Sequence, residues 1–126
     1  LYKLPPLHPR LGAIRFDGAL RFVNVAYFEN AILQLERENP RMVYILVQCS
    51  GINQIDASGI EMLRNLLGRL ESNGIHLAFS SVKHQVSNVM QTTGLLNQIG
   101  NHNIFATDRD AIATLRDRLE QMPKSA

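Results

Sequence analysis

The sequence predicts an α/β domain built on an open, mixed β-sheet with about four helices packed on it. Two observations carry this prediction. Short apolar segments rich in β-branched residues alternate with longer segments in which apolar residues recur at helical spacing. The connections between the later strands also exceed about ten residues, which implies parallel pairing. The expected order is β β α β α β α β α, with an antiparallel hairpin first and right-handed crossovers after it.

The first two strands are expected from "AIRFDGALRFV" (13–23), in which apolar and polar residues alternate around Asp17-Gly18. A three-residue loop keeps the apolar side chains of both strands on one face and places Arg15 opposite Arg21 on the other face. Like charges in that position repel each other unless a carboxylate, a lipid phosphate or a partner covers them. Arg15 and Arg21 are therefore candidate contacts for an anion or a lipid, and two solvated arginines are the alternative.

The next three elements form the expected centre of the domain. Apolar residues at helical spacing predict a helix from Val25 to about Glu38, with Asn24 as its N-cap. The segment "MVYILVQC" (42–49) is apolar on successive residues, as a strand covered on both faces is. A second amphipathic helix is predicted over 58–73, because its leucines fall on one side and its charged residues on the other.

The remaining pattern predicts two more strands and two more helices. The last helix opens with Thr107, which is followed three residues later by an acidic residue in a capping arrangement. The predicted ranges are a strand over 75–80, a helix over 82–93, a short strand over 103–107 and a helix over 107–122.

Composition limits the classes of function. Thirteen Lys and Arg against eleven Asp and Glu give a net charge of +2 without a long run of one sign, which disfavours nucleic-acid binding. The single cysteine, Cys49, excludes an internal disulfide framework and is expected in the core. The four histidines lack metal-ligand spacing, so we expect no metal and no cofactor.

We expect neither a membrane-spanning segment nor a leader within this sequence. Its longest apolar run, "MVYILV" (42–47), is far shorter than the roughly 20 residues that a spanning helix needs. The first ten residues hold three of the five prolines instead of an apolar run, and the chain starts without a methionine. We therefore expect a piece of a longer polypeptide, with a linker over 1–10, one domain over 11–122 and a tail over 123–126.

One polar segment, "INQIDASGIEML" (52–63), is the strongest candidate for a functional site. Ser58 is a poor nucleophile candidate, because the elbow pattern G-x-S-x-G and a recognisable triad histidine are missing. Anion binding is also disfavoured, because Asp56 already supplies negative charge to the start of the helix. Ser58 and Glu61 match the S-x-x-E capping box, and Asp56 caps instead if the helix starts earlier.

These residues lead to a family. The segment "VQCSGINQIDASGIEML", which joins the central strand to an amphipathic helix, resembles the STAS domain shared by sulfate transporters and anti-sigma-factor antagonists. The resemblance covers about residues 11–120. The stretch "DGALRFVNVAYFENAI" (17–32) is similar to the transporter branch, a bacterial SulP anion permease, through the form G-x-L-x-F-x-N-x-x-x-F. The matching positions are Gly18, Leu20, Phe22, Asn24 and Phe28.

The resemblance implies a non-catalytic regulatory and interaction domain of a secondary membrane transporter for sulfate or a related inorganic or organic anion. Such a domain lies on the cytoplasmic side of the inner membrane, and 1–10 is then its linker from a preceding transmembrane region. The implied partners are the transmembrane domain of the same chain, a second copy in a homodimer of the full-length transporter, and a cytosolic protein or nucleotide at the 53–59 loop. The implied partner loop consists of Asn53, Gln54, Asp56, Ala57, Ser58 and Gly59.

The alternative within the same family is a free-standing anti-sigma-factor antagonist that works by binding a partner. The resemblance implies that such antagonists are phosphorylated on the residue directly after the aspartate of the motif. That residue is Ala57 here, which has no hydroxyl group. The sequence therefore favours the transporter interpretation.

Overall fold

The computed structural model describes residues 2–5 and 7–123. Within these residues, seven strands and five α-helices follow one another, with two 3-10 helices at 22–24 and 101–103. The strands are β1 (Tyr2–Lys3), β2 (Leu11–Arg15), β3 (Gly18–Leu20), β4 (Tyr44–Gln48), β5 (Ile52–Ile55), β6 (His76–Ser80) and β7 (Ile104–Phe105). The helices are α1 (Val25–Glu38), α2 (Ala57–Ser72), α3 (His84–Thr92), α4 (Leu95–Ile99) and α5 (Asp108–Gln121).

Five strands form the main sheet in the order β1-β2-β4-β6-β7. The pairs β2–β4, β4–β6 and β6–β7 are parallel, and only the edge strand β1 runs antiparallel, with Tyr2 opposite Arg15. This confirms the predicted open, mixed sheet with parallel crossovers. A separate two-stranded parallel sheet pairs β3 with β5.

The predicted hairpin between 13 and 23 is wrong. β3 leaves β2 and pairs in parallel with β5, because Gly18 adopts a φ of +116° and its N–H donates to the carbonyl oxygen of Gly51 at 2.7 Å. Arg15 and Arg21 are consequently not cross-strand neighbours. The Nε of Arg15 donates to the Asp17 carboxylate at 3.0 Å, and Arg21 donates instead to the side-chain oxygen of Gln54.

The sheet is covered on both faces, as the apolar composition of the central strand predicted. On one face, Ile45 and Val47 of β4 pack into a large cluster beneath α1, α2, α3 and α4. On the other face, Leu46 packs with Leu115 and Leu119 of α5. All five side chains are fully buried. Within the described residues, no helix has the length and apolarity that crossing a bilayer requires.

The predicted helices are confirmed with small shifts at their ends. α1 begins and ends where the periodicity placed it, α2 begins one residue earlier than predicted, and α3 is shorter at its start. Besides β1 and the two 3-10 helices, the strand β5 and the short helix α4 were not predicted. α4 exists because Gly94, with a φ of +81°, turns the chain after α3 and lets Leu95 and Ile99 enter the core.

The first ten residues, predicted as a linker, contribute the edge strand β1. After it, the backbone N–H of Leu4 donates to the carbonyl oxygen of Ala13 at 3.1 Å, and the side chain of Arg10 donates to the carbonyl oxygen of Leu119 at 2.6 Å. The described part of this segment is thus attached to both β2 and α5. The domain boundaries at 11 and 122 stay a prediction.

Candidate functional site

The carboxyl ends of the strands bring the candidate residues together. α1, α2, α3 and α5 each follow the carboxyl end of a strand, so their N-terminal ends share one end of the molecule. β5 lies at this end too, since the backbone N–H of Ile52 donates to the carbonyl oxygen of Cys49, just past β4, at 2.9 Å. The predicted loop 53–59 therefore lies on the usual ligand side of an open α/β sheet.

Asp56 joins three elements at this end. It is the N-cap of α2, and its Oδ1 accepts a hydrogen bond from the N–H of Gly59 at 2.9 Å. Its Oδ2 accepts from the N–H of Phe22 at 3.1 Å, and its own N–H donates to the carbonyl oxygen of Leu20 at 3.1 Å. One residue thus connects the end of β3, the 3-10 helix at 22–24 and the first turn of α2.

The surroundings of Asp56 favour its charged form. The N–H of Gly59 contributes most to lowering the pKa of this carboxyl below its ordinary value, and the N–H groups of Phe22 and Ser58 and the charge of Arg21 add to it. Partial burial acts in the opposite direction and is outweighed. Asp56 is therefore an ionised acceptor whose oxygens are directed at backbone donors, which is a structural role.

Gly59 is required by close packing. A Cβ at this position would lie 2.7 Å from the carbonyl oxygen of Leu20 and 2.8 Å from Cγ1 of Ile55. The absence of a side chain lets the first turn of α2 approach the ends of β3 and β5, where the Asp56 hydrogen bonds form. The D-x-S-G pattern thus combines a cap and a close contact in four residues.

The predicted capping box of Ser58 and Glu61 is wrong. Because Ala57 is already helical and Asp56 is extended, with φ −101° and ψ −178°, the cap belongs to Asp56, the alternative considered from the sequence. Ser58 is the second helical residue and is partly buried. Glu61 is exposed, and its carboxylate lies 3.9 Å from the Nε of Arg64.

The remaining loop residues face outward. Asn53, Gln54 and Ala57 are exposed, and the first two line an open groove of about 700 Å³ between the β3–β5 pair and α3. Among the described residues, Arg21 is the only charged one in the groove wall. The groove therefore offers amide groups and a single guanidinium, which suits a polar surface of a partner better than a polyphosphate. Its lining residues are Ala19, Arg21, Asn53, Gln54, Ile55, Gln85 and Val89.

An exposed apolar surface beside this groove was missed by the sequence analysis. Phe22, Val23 and Tyr27 have relative exposures of 75%, 87% and 61%. The predicted hairpin put Phe22 in a strand, whereas the structure places it in a 3-10 helix that precedes α1. Asn24 is the N-cap residue of α1, as predicted, but its side chain accepts from the N–H of Arg21 at 2.8 Å rather than capping the helix.

Cys49 lies at the same end of the sheet but is closed to solvent. Burial, and secondarily the carboxylate of Asp108, raises the pKa of its thiol to about 12. Ser80 and Ser81 both donate to Oδ1 of Asp108, at 2.7 and 2.8 Å. The side chains of Ser80, Ser81 and Asp108 are thus hydrogen-bonded to one another, and the thiol of Cys49 is protonated at neutral pH. Across residues 2–5 and 7–123, no group of three or more His, Cys, Asp or Glu side chains could hold a metal ion.

The fold and this loop agree with one domain family. A family model for the STAS domain matches residues 3–111, so the chain belongs to the STAS domain family. Its relatives include high affinity sulfate transporter 2 of Stylosanthes hamata, with 30% identity over 84% of this chain, and a probable sulfate transporter of Mycobacterium tuberculosis, with 27% identity over 87%. The chain spans only 17% and 20% of the lengths of these two relatives.

Solved structures share the fold at lower sequence identity. A sulfate transporter family protein from Wolinella succinogenes superposes with a TM-score of 0.78 at 18% identity, covering 88% of both chains. The STAS domain of a SulP transporter from Vibrio cholerae gives 0.76 at 18% identity, covering 94% of this chain and 88% of that one. The anti-sigma factor antagonist SpoIIAA in its unphosphorylated form gives 0.73 at 19% identity, covering 92% and 97%. The shared fold therefore does not by itself separate the two branches.

Proposed function

We propose that this STAS domain is the cytoplasmic regulatory domain of a SulP-type secondary transporter for sulfate or a related anion, and that it acts by contact rather than by catalysis. The observation that carries the proposal is the division of labour in the D-x-S-G segment. The carboxylate of Asp56 is directed at backbone donors, while Asn53, Gln54 and Ala57 lie exposed beside it. Such an arrangement presents a shaped surface and holds no reactive group.

Sequence relatives support the transporter branch. Those with the stated identities of 27–30% are named as sulfate transporters, and the chain matches a minor part of each. We expect the transmembrane domain to belong to the same polypeptide, to determine the anion, and to be the principal partner of this domain on the cytoplasmic side of the plasma membrane. A second copy of the transporter and a cytosolic protein or nucleotide at the 53–59 loop are further expected partners.

The test is sulfate uptake by the full-length transporter in cells that lack their own sulfate uptake. The double substitution Asn53→Ala and Gln54→Ala removes two exposed amides of the loop, and should change the uptake rate per transporter at the membrane by at least about threefold. The matched control is Arg69→Ala with Glu71→Ala, an exposed pair at the other end of α2. This pair should leave uptake unchanged.

Deletion of the whole domain completes that experiment. If the shortened transporter reaches the membrane and takes up sulfate at the full rate, the regulatory proposal is wrong. An equal effect of the loop pair and the control pair would also contradict it, because a general disturbance of folding, rather than a defined contact, would then explain the change. Purified chain that turns over a substrate and loses this turnover on Ser58→Ala would contradict the absence of catalysis.

Phosphorylation separates the transporter branch from the antagonist branch. Position 57 is exposed at the start of α2, and a serine there would be accessible to a kinase. We expect the Ala57→Ser variant to accept phosphate from an anti-sigma-factor kinase and the natural chain to accept none. Stoichiometric phosphorylation of the natural chain, located at Ser58 by mass spectrometry, would favour the antagonist instead.

A further inference from the structure

Three large apolar side chains are exposed together at the carboxyl end of the sheet. Phe22, Val23 and Tyr27 form what we call the apolar tip, and their exposures of 75%, 87% and 61% exceed the 37% of Met122. Six positions of chain contain all three, in the 3-10 helix and the first turn of α1. Large apolar side chains that are exposed within so short a segment mark a contact site rather than a scattered exposure.

The backbone of the apolar tip is fixed. The N–H of Phe22 donates to Oδ2 of Asp56 at 3.1 Å, and the side-chain amide of Asn24 donates to the carbonyl oxygen of Ala19 at 2.7 Å. The oxygen of the same amide accepts from the N–H of Arg21 at 2.8 Å. The tip therefore presents its side chains on a rigid turn, so that little conformational entropy is lost when a surface covers them.

One basic side chain, Arg21, directly precedes the apolar tip, and the acidic residues Asp17 and Glu29 flank the segment 18–28. Between positions 18 and 28, Arg21 and Tyr27 are the only ionisable residues, and Arg21 is exposed. The nearest carboxylate in the hydrogen-bond network, Asp56, has its two oxygens bonded to backbone N–H groups. An aromatic ring, a branched aliphatic, a tyrosine and an arginine together are the composition of a surface that sits in the headgroup region of an anionic bilayer.

The course of the chain puts the apolar tip on the side of its N-terminal entry. Tyr2 pairs with Arg15, the last residue of β2, so the chain enters the sheet at the carboxyl end of the parallel strands. The apolar tip lies at this same end, beside Asp56. If a membrane region precedes the domain, as the proposed function has it, the apolar tip faces that membrane. This orientation step rests on the proposed function, whereas the exposure and charge of the tip do not.

We propose that the apolar tip is a bilayer contact. Phe22 and Val23 enter the headgroup region of the cytoplasmic leaflet, Tyr27 lies at its surface, and Arg21 binds the phosphate of an anionic lipid. Three side chains and one charge give weak binding from solution. Tethering near the membrane supplies the effective concentration that makes such a contact persistent.

The test uses the natural absence of tryptophan in the chain. A Phe22→Trp variant with an N-terminal hexahistidine tag is tethered to vesicles that contain a nickel-chelating lipid, phosphatidylcholine and phosphatidylglycerol. We expect a blue shift of the emission and quenching by brominated lipid chains. The matched control is Met122→Trp, whose position at the end of α5 lies at the opposite end of the strands and should show neither change.

Two further variants identify the source of the binding. Arg21→Gln should lower the ratio of bound to free tip about fivefold on anionic vesicles, because one basic residue near an anionic surface contributes about that factor. It should have little effect on vesicles that contain only the nickel-chelating lipid and phosphatidylcholine. Val23→Ser in the Phe22→Trp background should lower the ratio on both. Far-ultraviolet circular dichroism and thermal unfolding establish that each variant is folded.

Each remaining outcome overturns the proposal. An emission that stays that of a water-exposed indole on anionic vesicles shows that the tip does not touch lipid. Equal quenching at positions 22 and 122 shows adsorption without orientation. A blue shift that grows with protein concentration in the absence of vesicles assigns the tip to a second copy of the chain. These results leave the uptake experiment untouched, so the failure of the bilayer contact and that of the regulatory function are distinguishable.

Discussion

Two adjacent parts of the domain, both at the carboxyl ends of the strands, direct their side chains in opposite ways. At the start of α2, the charged side chain of Asp56 turns inward to backbone donors, and Gly59 has no side chain at all. A few ångströms along the same network, Phe22 and Val23 turn large apolar side chains outward. The comparison teaches that the residues most useful for recognising the family maintain the architecture, while the residues free to touch a partner lie next to them.

The largest change in the free energy of unfolding is expected from a substitution at the start of α2. Gly59→Ala places a methyl group 2.7 Å from the carbonyl oxygen of Leu20, and we expect it to lower the free energy of unfolding by about 1–3 kcal/mol. The control is Gly68→Ala in the same helix, where an added Cβ would meet nothing within 4 Å beyond the helix's own backbone. This substitution should raise the free energy of unfolding by about 0.5–1 kcal/mol. Urea unfolding measures both, and effects of the same sign would contradict the close-packing argument.

The N-caps of the neighbouring helices α5 and α3 show how much a capping side chain contributes to stability. The hydroxyl of Thr107 accepts from the N–H of Asp110 at 3.0 Å, and Thr107→Ala should cost about 1 kcal/mol in thermal or urea unfolding. The N-cap of α3 is Lys83, which is extended, makes no side-chain cap and is followed by no acidic residue in the first turn. Lys83→Asp should therefore stabilise by about 0.5–1 kcal/mol. A destabilising Lys83→Asp would show that the charge at this site has another role.

Acid should weaken the start of α2, because the fold lowers the pKa of the Asp56 carboxyl there. Since the folded state lowers the pKa of Asp56, the unfolded state binds more protons as the pH falls, and the stabilisation from the carboxylate, complete above its ordinary pKa, is lost as the pH falls through the lowered value. Asp56→Asn keeps a capping oxygen and removes the titration. The difference in stability between the two proteins should therefore narrow between about pH 5 and pH 2. Urea midpoints across this range test it, and a constant difference would contradict it.

The smallest change in the free energy of unfolding is expected from a substitution in the apolar tip. Phe22→Ser removes an apolar side chain that is 75% exposed, so the free energy of unfolding should change by no more than about 0.5 kcal/mol. The same variant should abolish the membrane contact proposed above. A loss of several kcal/mol in thermal unfolding would instead make Phe22 part of the core and remove the contrast between the two parts.

The layered α/β architecture was predictable because periodicity reports burial directly. The apolar stripe of α1 requires that one face of this helix be covered, and the uninterrupted apolar run of β4 requires a strand that is covered on both faces. The layered arrangement meets both requirements. The hairpin failed because alternation in 13–23 reports which faces are buried, not which strand is the neighbour. Phe16 and Leu20 are both buried, as a hairpin would have them, although β3 pairs with β5.

The position of the candidate site was predictable from the sequence, but the roles of its residues were not. Asp56 and Ser58 are both good capping residues, and a shift of two residues in the start of α2 decides between them. β5 escaped notice because Asn53 and Gln54, its two middle residues, are polar and exposed, and only Ile52 and Ile55 are buried. The apolar tip escaped because Phe22 and Val23 have the composition of a strand. Only the three-dimensional course after Gly18 shows that they face solvent.

The shared carboxylate of Asp56 has a mechanical consequence. The N–H of Phe22 in the 3-10 helix and the N–H of Gly59 in the first turn of α2 donate to the two oxygens of the Asp56 carboxylate, which is a rigid group. Neither segment can therefore shift relative to the other by more than a fraction of an ångström without lengthening one of these hydrogen bonds. A push on the aromatic ring at position 22 is thereby delivered to a helix of sixteen residues that crosses the core. Force applied at the edge of this domain thus has a direct hydrogen-bonded route into its interior through one carboxylate.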